Sequence, residues 1–381
     1  MYVLSRLRIS EGLMITISPS ARTLRSPFYQ STVEDGVVSF TLYNSMFLPT
    51  GFGDPEAEYW RLKNGVSMWD VAVQRQVQLK GKDAAKLAQI LSPRNVSKMK
   101  IGQGKYIPLC NHLGVLINDP VLLKIDEDCF WFSIADSDIW SWARAINNER
   151  HLDVVISEPQ VAPLAIQGPL AERLVVDLCG EWVTELKYFW FKPAEIEGIP
   201  ILVARSGYSK QGGFEFYLLD KKMGSKLWNI VKEAGQKYDI GPGCPNLSER
   251  VESGLLSFGG DSDHTTNPFE VRLGDYIDLK LEGEVIGLPA LKKIHEQGPK
   301  RHQLGAIFED KDASSYPIFE WMTIYYDGEP VGSLTNRTWS YELEKPIGFA
   351  LVSRNVTAGD QIFIETEVGL QNARLVELPF V

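Results

Sequence analysis

The sequence predicts an α+β chain, with two mixed α/β domains followed by a small all-β module. Three observations carry this. From about residue 28 to residue 245, strand-like alternation and helix-like spacing succeed one another. The segment Gly283–Lys300 is charged, holds Gly287, Pro289 and Gly298, and reads as a connection with a short helix. Beyond it, residues 301–381 alternate apolar and polar, with turn signals at Asp327-Gly328 and Ala358-Gly359-Asp360.

Residues 1–27 read as a polar, irregular extension, and Met14 as an alternative start, because the recognisable pattern begins near Ala21. Glu56–Asn64 reads as a short helix, Gln76–Lys80 as a strand and Gly81–Leu91 as a helix. Gly104–Asp128 gives two strands around the turn His112-Leu113-Gly114. Phe130–Ala135 is a strand and Ile139–Asn147 a helix. The theme then repeats with strand Val161–Gln167, helix Pro169–Cys179, strands Ile201–Ser206 and Gly213–Leu219, and the amphipathic helix Lys226–Tyr238. The two halves read as a pseudo-repeat. The expected domains are 28–160 with part of 245–285, then 161–285, then 301–381.

Composition excludes several classes. With 381 residues, 44% of them hydrophobic, the chain can bury a sizeable core. A net charge of -10 repels phosphate backbones, so nucleic acid is not an expected partner. No apolar run is long enough to span a membrane, and the four cysteines form no CxxC pair, which points to reduced thiols in a cytoplasmic protein. The five histidines show neither HxxxH nor HxH, so no metal is expected. A P-loop, GxSxG and GxGxxG are all absent.

Three segments carry candidate chemistry. In ARSGYSKQGGFEFY (204–217) a strand enters a glycine-rich polar turn and leaves as a second strand, with Glu215 between two aromatics. If Glu215 faces inward it needs donors; the other reading is a tight hairpin with an exposed glutamate. In VLINDPV, Asp119 interrupts an apolar strand before a proline, a place for a carboxylate of shifted pKa or for a strand-end turn. In the stretch 243–254, Asn246 caps a helix whose Arg250 either clamps a carboxylate or pairs with Glu249 or Glu252 at the surface. Ten tryptophans and fourteen tyrosines leave rings enough to box a cation.

The motifs VARSGYSKQGGFEFY, VLINDPV, APLAIQGP, ERVESGLLSFGGD and DGEPVGSLTNRTWS, in this order, resemble the tetrahydrofolate-dependent aminomethyltransferase (glycine cleavage T-protein) superfamily over roughly residues 22–381. Within it the chain is more similar to the dimethylsulfoniopropionate demethylases, through RTLRSPF, TLYNSMFLPTGFG and GPGCPNLSERVESGLLS. The resemblance implies a three-domain aminomethyltransferase-like fold, two α/β domains and a small C-terminal β-barrel around a central folate channel. It implies methyl transfer from a small sulfonium to tetrahydrofolate, with no metal, or an amine donor as the alternative. It also implies site residues. Asp119 and Tyr106 are the expected catalytic pair. Glu215, Ser133, Trp190, Arg205 and Arg250 are expected to bind folate, and Tyr43, Tyr208 and Tyr217 the donor. The chain departs from the demethylase pattern at Tyr208 (tryptophan there), at Ser45 (histidine) and at Glu270-Val271-Arg272 (ECG).

Overall fold

The computed structural model describes residues 20–311, 318 and 320–381, together with the backbone of Arg6–Ile9 and Leu13–Thr16. Those two segments pair antiparallel, a ribbon where an irregular extension is expected; the rest of residues 1–19 lies outside the described residues. The chain forms two compact units, residues 1–76 with 158–246 and residues 77–157 with 247–381.

The first unit is built on a six-stranded sheet. Its order is Phe191–Ile196, Ile199–Ala204, Gly213–Leu218, Ala162–Gln167, Val66–Asp70 and Ile240–Gly243, and only the last pair is parallel. Residues 28–76, grouped with 77–160 by sequence order, therefore belong with 158–246. Every residue of Val66–Asp70 is buried, so this strand needs neighbours on both edges and cover on both faces, and Ala162–Gln167 supplies one edge.

Side chains alternate between the two faces of a sheet. Ile201, Val203, Phe214, Phe216, Leu164, Ile166 and Met68 join an apolar cluster with Leu174, Val175, Leu227, Trp228 and Val231. The last five come from the helices Ala171–Cys179 and Gly224–Ala234, whose apolar residues recur at helical spacing. The register then dictates the opposite face: Phe191, Ala204, Glu215, Ala165 and Trp69 form one cross-strand row.

The second unit holds a five-stranded sheet ordered Val155–Ser157, Gln76–Lys80, Cys129–Ser133, Val121–Asp126, Gly104–Tyr106. Gln76–Lys80 is followed by the helix Ala84–Leu91, whose Ala84, Leu87, Ala88 and Leu91 are buried along one stripe. The strand order repeats that of the first unit, since Ala162–Gln167 is likewise followed by a helix and flanked in turn by Gly213–Leu218, Ile199–Ala204 and Phe191–Ile196. The pseudo-repeat is thus present as topology. The hairpin around 111–115 forms as expected, but Gly104–Asp128 holds four short strands rather than two. Pro108 and Pro120 lack the N–H that a continuous ladder requires.

Residues 301–376 close into a six-strand barrel: Arg301–Phe308, Gly369–Val376, Gln361–Thr366, Met322–Tyr326, Glu329–Leu334, Lys345–Ser353, and back to Arg301–Phe308. Thr338–Ser340 pairs outside this ring. Asp327-Gly328 forms its two-residue turn with positive φ at both positions, which matches the twist of the flanking strands. No described helix is long and apolar enough to cross a membrane, and the four cysteines are unpaired.

Candidate functional site

In the second unit, Asp119 sits in the bend between strands Leu116–Asn118 and Val121–Asp126. Asn118 anchors the bend from behind, its amide bonding the Ala135 carbonyl and N–H (3.0 Å each) and Ser137 Oγ (2.8 Å). Val121, two residues on, pairs with Tyr106 on one side and the buried Ser133 on the other. Three candidates named from sequence are thereby brought together. Tyr106 Oη donates to Asp119 Oδ2 at 2.7 Å. Burial pushes the Asp119 carboxyl up to about 7, and the Tyr106 bond opposes this only in part.

Tyr106 is itself held. Arg94 Nη1 donates to its carbonyl at 2.6 Å, and the Arg94 guanidinium lies 4.8 Å from the centre of the Tyr276 ring. Tyr276 meets Tyr106 edge-on at 5.2 Å. Sequence reasoning missed both residues; Tyr276 lies far along the chain, and no local pattern marks it.

In the first unit, Glu215 is only 5% exposed. Ser206 Oγ donates to its Oε2 at 2.5 Å, and among the described residues nothing bonds Oε1. Burial raises the pKa of this carboxyl, and the Ser206 bond lowers it in part. The hairpin reading with an exposed glutamate is thus set aside. Tyr217 shares this face, and Tyr208 packs on Leu62, Trp69, Val71 and Ala165, the cluster at the same row. Another buried carboxyl, Asp70, stands on the apolar-cluster side of the sheet and is bonded by Ser26 Oγ and the Ala72 N–H, a structural clamp.

Residues 28–281 match the GCVT N-terminal domain, and residues 302–381 match the glycine cleavage T-protein C-terminal barrel domain. The chain belongs to the glycine cleavage T-protein family. A dimethylsulfoniopropionate demethylase of Ruegeria pomeroyi is 38% identical to it, over 94% of this chain and 97% of its own. An aminomethyltransferase of Thermosipho melanesiensis is 28% identical over 93% of this chain and 96% of its own. In structure, the chain is similar to the glycine cleavage system aminomethyltransferase T of Bartonella henselae, with a TM-score of 0.82 at 20% identity, over 94% and 98% of the two chains.

Not every expected site residue lies beside a buried carboxylate of its own unit in the way expected. Trp190 packs on the apolar cluster, on the face away from Glu215. The chain turns at Lys187–Trp190, with Phe189 at φ 59°, and the strand begins only at Phe191, so Phe191 takes the place in the Glu215 row. Tyr43 also leans on the apolar cluster, beside the two-residue turn Asn44-Ser45. Both turn residues have positive φ. Arg205 points away from Glu215: it pairs with Glu172 at 2.6 Å and lies over the Phe214 ring.

Arg250 donates to Asp261 Oδ2 at 2.6 Å and to the Leu255 carbonyl at 3.2 Å, both deep inside the second unit. Asp261 in turn accepts from Ser257 N–H and Asn336. Glu249 and Glu252 are buried as well, so the arginine serves a buried network and not the exposed surface. Arg250→Ala leaves a buried carboxylate uncompensated and is expected to lower unfolding free energy by about 3–5 kcal/mol in a urea titration. Arg272 holds φ at 62°. Its guanidinium bonds the Gly254 carbonyl and Gln303, contacts that offset the strain of a side chain in the left-handed region.

Proposed function

We propose that this protein is a tetrahydrofolate-dependent methyltransferase that demethylates dimethylsulfoniopropionate, releasing methylmercaptopropionate and forming 5-methyltetrahydrofolate. The observation that carries the reading is similarity over 94% of the chain to a dimethylsulfoniopropionate demethylase, at 38% identity against 28–31% for the aminomethyltransferases. The residues fit a folate. Glu215 is a buried carboxylate whose Oε1 has no bonded partner among the described residues, and it follows a glycine-rich turn where backbone can approach a flat ring.

Tetrahydrofolate supplies the nucleophilic N5. The sulfonium is already activated, so the protein needs neither a nucleophilic side chain nor an acid for the leaving thioether. Its work is alignment and exclusion of water. Glu215 orients the pterin through two N–H donors. Tyr208 and Tyr217 offer π-faces to the cationic donor without offering a better nucleophile. Asp119, poised near 7, takes the proton that the attacking amine must shed once its new bond to carbon has formed and the carbon–sulfur pair has left with sulfur. The reading places the enzyme in the cytoplasm.

The direct test incubates purified protein with tetrahydrofolate and dimethylsulfoniopropionate and follows both products. Stoichiometric 5-methyltetrahydrofolate and methylmercaptopropionate are expected. Turnover only with a methylated amine would move the enzyme to the aminomethyl side of its family.

A further inference from the structure

On the folded sheet, the side chain of Gln167 ends the strand Ala162–Gln167 and points into the turn that precedes Glu215. Its Nε2 donates to the Ser206 carbonyl (3.2 Å) and the Phe214 carbonyl (3.3 Å), and its Oε1 accepts from Ser209 Oγ (2.8 Å). Both ends of the loop 206–214 are thereby tied to one buried amide. Two glycines of the loop leave room for it. A Cβ on Gly207 would stand 2.0 Å from Gln167 Nε2, and one on Gly213 2.6 Å from the same atom. That amide cannot swing aside, since each of its polar atoms is already bonded.

The loop end that Gln167 fixes is Ser206, which is 4% exposed and whose hydroxyl is the protein's hydrogen bond to Glu215. A glutamine is thus connected through a serine to a carboxylate whose other oxygen has no bonded partner among the described residues. We propose that Gln167 and Ser206 are positioning residues for tetrahydrofolate, fixing the orientation and the ionised state of Glu215. The inference rests on the reading of Glu215 as the pterin acceptor. Ser206 donates to the ionised form and favours it; Gln167 holds Ser206 where it can donate. Neither residue touches the methyl donor in this scheme.

The consequence reaches past fold maintenance. Pterin N–H groups bind the carboxylate and not the carboxylic acid. Folate affinity therefore weakens as pH drops through the Glu215 pKa, and Ser206 moves that midpoint downward.

The test measures tetrahydrofolate affinity by anaerobic titration across pH for Ser206→Ala, Ser206→Thr, Gln167→Leu and Glu215→Ala, with thermal melts to verify folding. Ser206→Ala is expected to weaken binding about tenfold near neutral pH and to shift the acid limb to higher pH. Ser206→Thr, which keeps a hydroxyl, restores both. Gln167→Leu should reproduce the Ser206→Ala shift, and the double variant should add little to it. An unmoved acid limb in Ser206→Ala, with binding lost in Glu215→Ala, overturns the relay and leaves the pterin reading standing. Unchanged binding in Glu215→Ala overturns both. If Gln167→Leu fails to fold, the Ser206 pair decides alone.

Discussion

Replacing Asp119 by asparagine is expected to lower kcat/KM for methyl transfer by about 10²–10⁴-fold, the span of a lost general base, with the melting temperature held or raised. The amine that attacks the methyl carbon gains positive charge as its bond forms, and its N–H proton must then go to a group able to accept it near neutral pH. Asp119 is set for this by two opposed effects: burial lifts its carboxyl to about 7, and the Tyr106 hydroxyl keeps it from rising further. The acid is raised from an ordinary value of 3.8, so between about pH 4 and 7 the folded state holds more protons here than the unfolded chain. Asp119 therefore costs stability progressively as pH climbs through that window, and asparagine removes the cost. Catalysis runs the other way, because the ionised fraction grows through pH 7, so kcat/KM of the wild type should rise across it. In Asp119→Asn that limb should vanish along with most of the rate. A variant that retains both would take Asp119 out of the proton transfer.

Much of the architecture was readable from the chain because burial patterns repeat with fixed periods. The strand Gln76–Lys80 matches its expected bounds, and alternation with the Asp327-Gly328 turn marks an all-β module whose closure into a barrel only the resemblance implies. What linear reading misplaced was membership. Val66–Asp70 pairs with a strand nearly a hundred residues later, and no local signal reports a partner at that distance. Sequence order assigned it to its neighbours; long-range register assigned it to the other sheet.

The site divides along the same line. The motifs that carry Asp119, Tyr106 and Ser133 lie close together along the chain, and register gathers them around Val121. Glu215 was legible as a charge on an apolar strand. Trp190 and Arg205 each stand a single step of alternation away from the Glu215 row. In a strand that step exchanges one face for the other, and the unusual backbone at Phe189 sets where counting begins. Arg250 was misjudged for a different reason: its partner Asp261 lies past the end of its helix, and only the fold reveals that the pair is buried. Gln167 lies in the APLAIQGP motif, yet the space its amide occupies is left by two glycines forty and forty-six residues away.

Glu215→Ala should weaken tetrahydrofolate binding about 100-fold or more while changing affinity for dimethylsulfoniopropionate by less than about threefold. The magnitude follows from removing a desolvated acceptor of two N–H donors, each charge-assisted bond contributing about 1.5–3 kcal/mol. Burial opposes the ionised state that makes this acceptor useful, so the unliganded protein holds Glu215 at a stability cost. As with Asp119, a raised carboxyl subtracts stability above its unfolded pKa. Glu215→Gln should therefore melt no lower than the wild type, yet it too should bind folate poorly, because its amide nitrogen would face the pterin's own donors. That combination separates a binding role from a packing role: a residue needed only to fill the sheet face would lose stability on substitution and leave folate affinity intact. Separate titrations of each substrate against the two variants supply the comparison. Equal weakening of both substrates would place Glu215 at the donor as much as at the pterin and would dissolve the division of labour between this carboxylate and the tyrosines beside it.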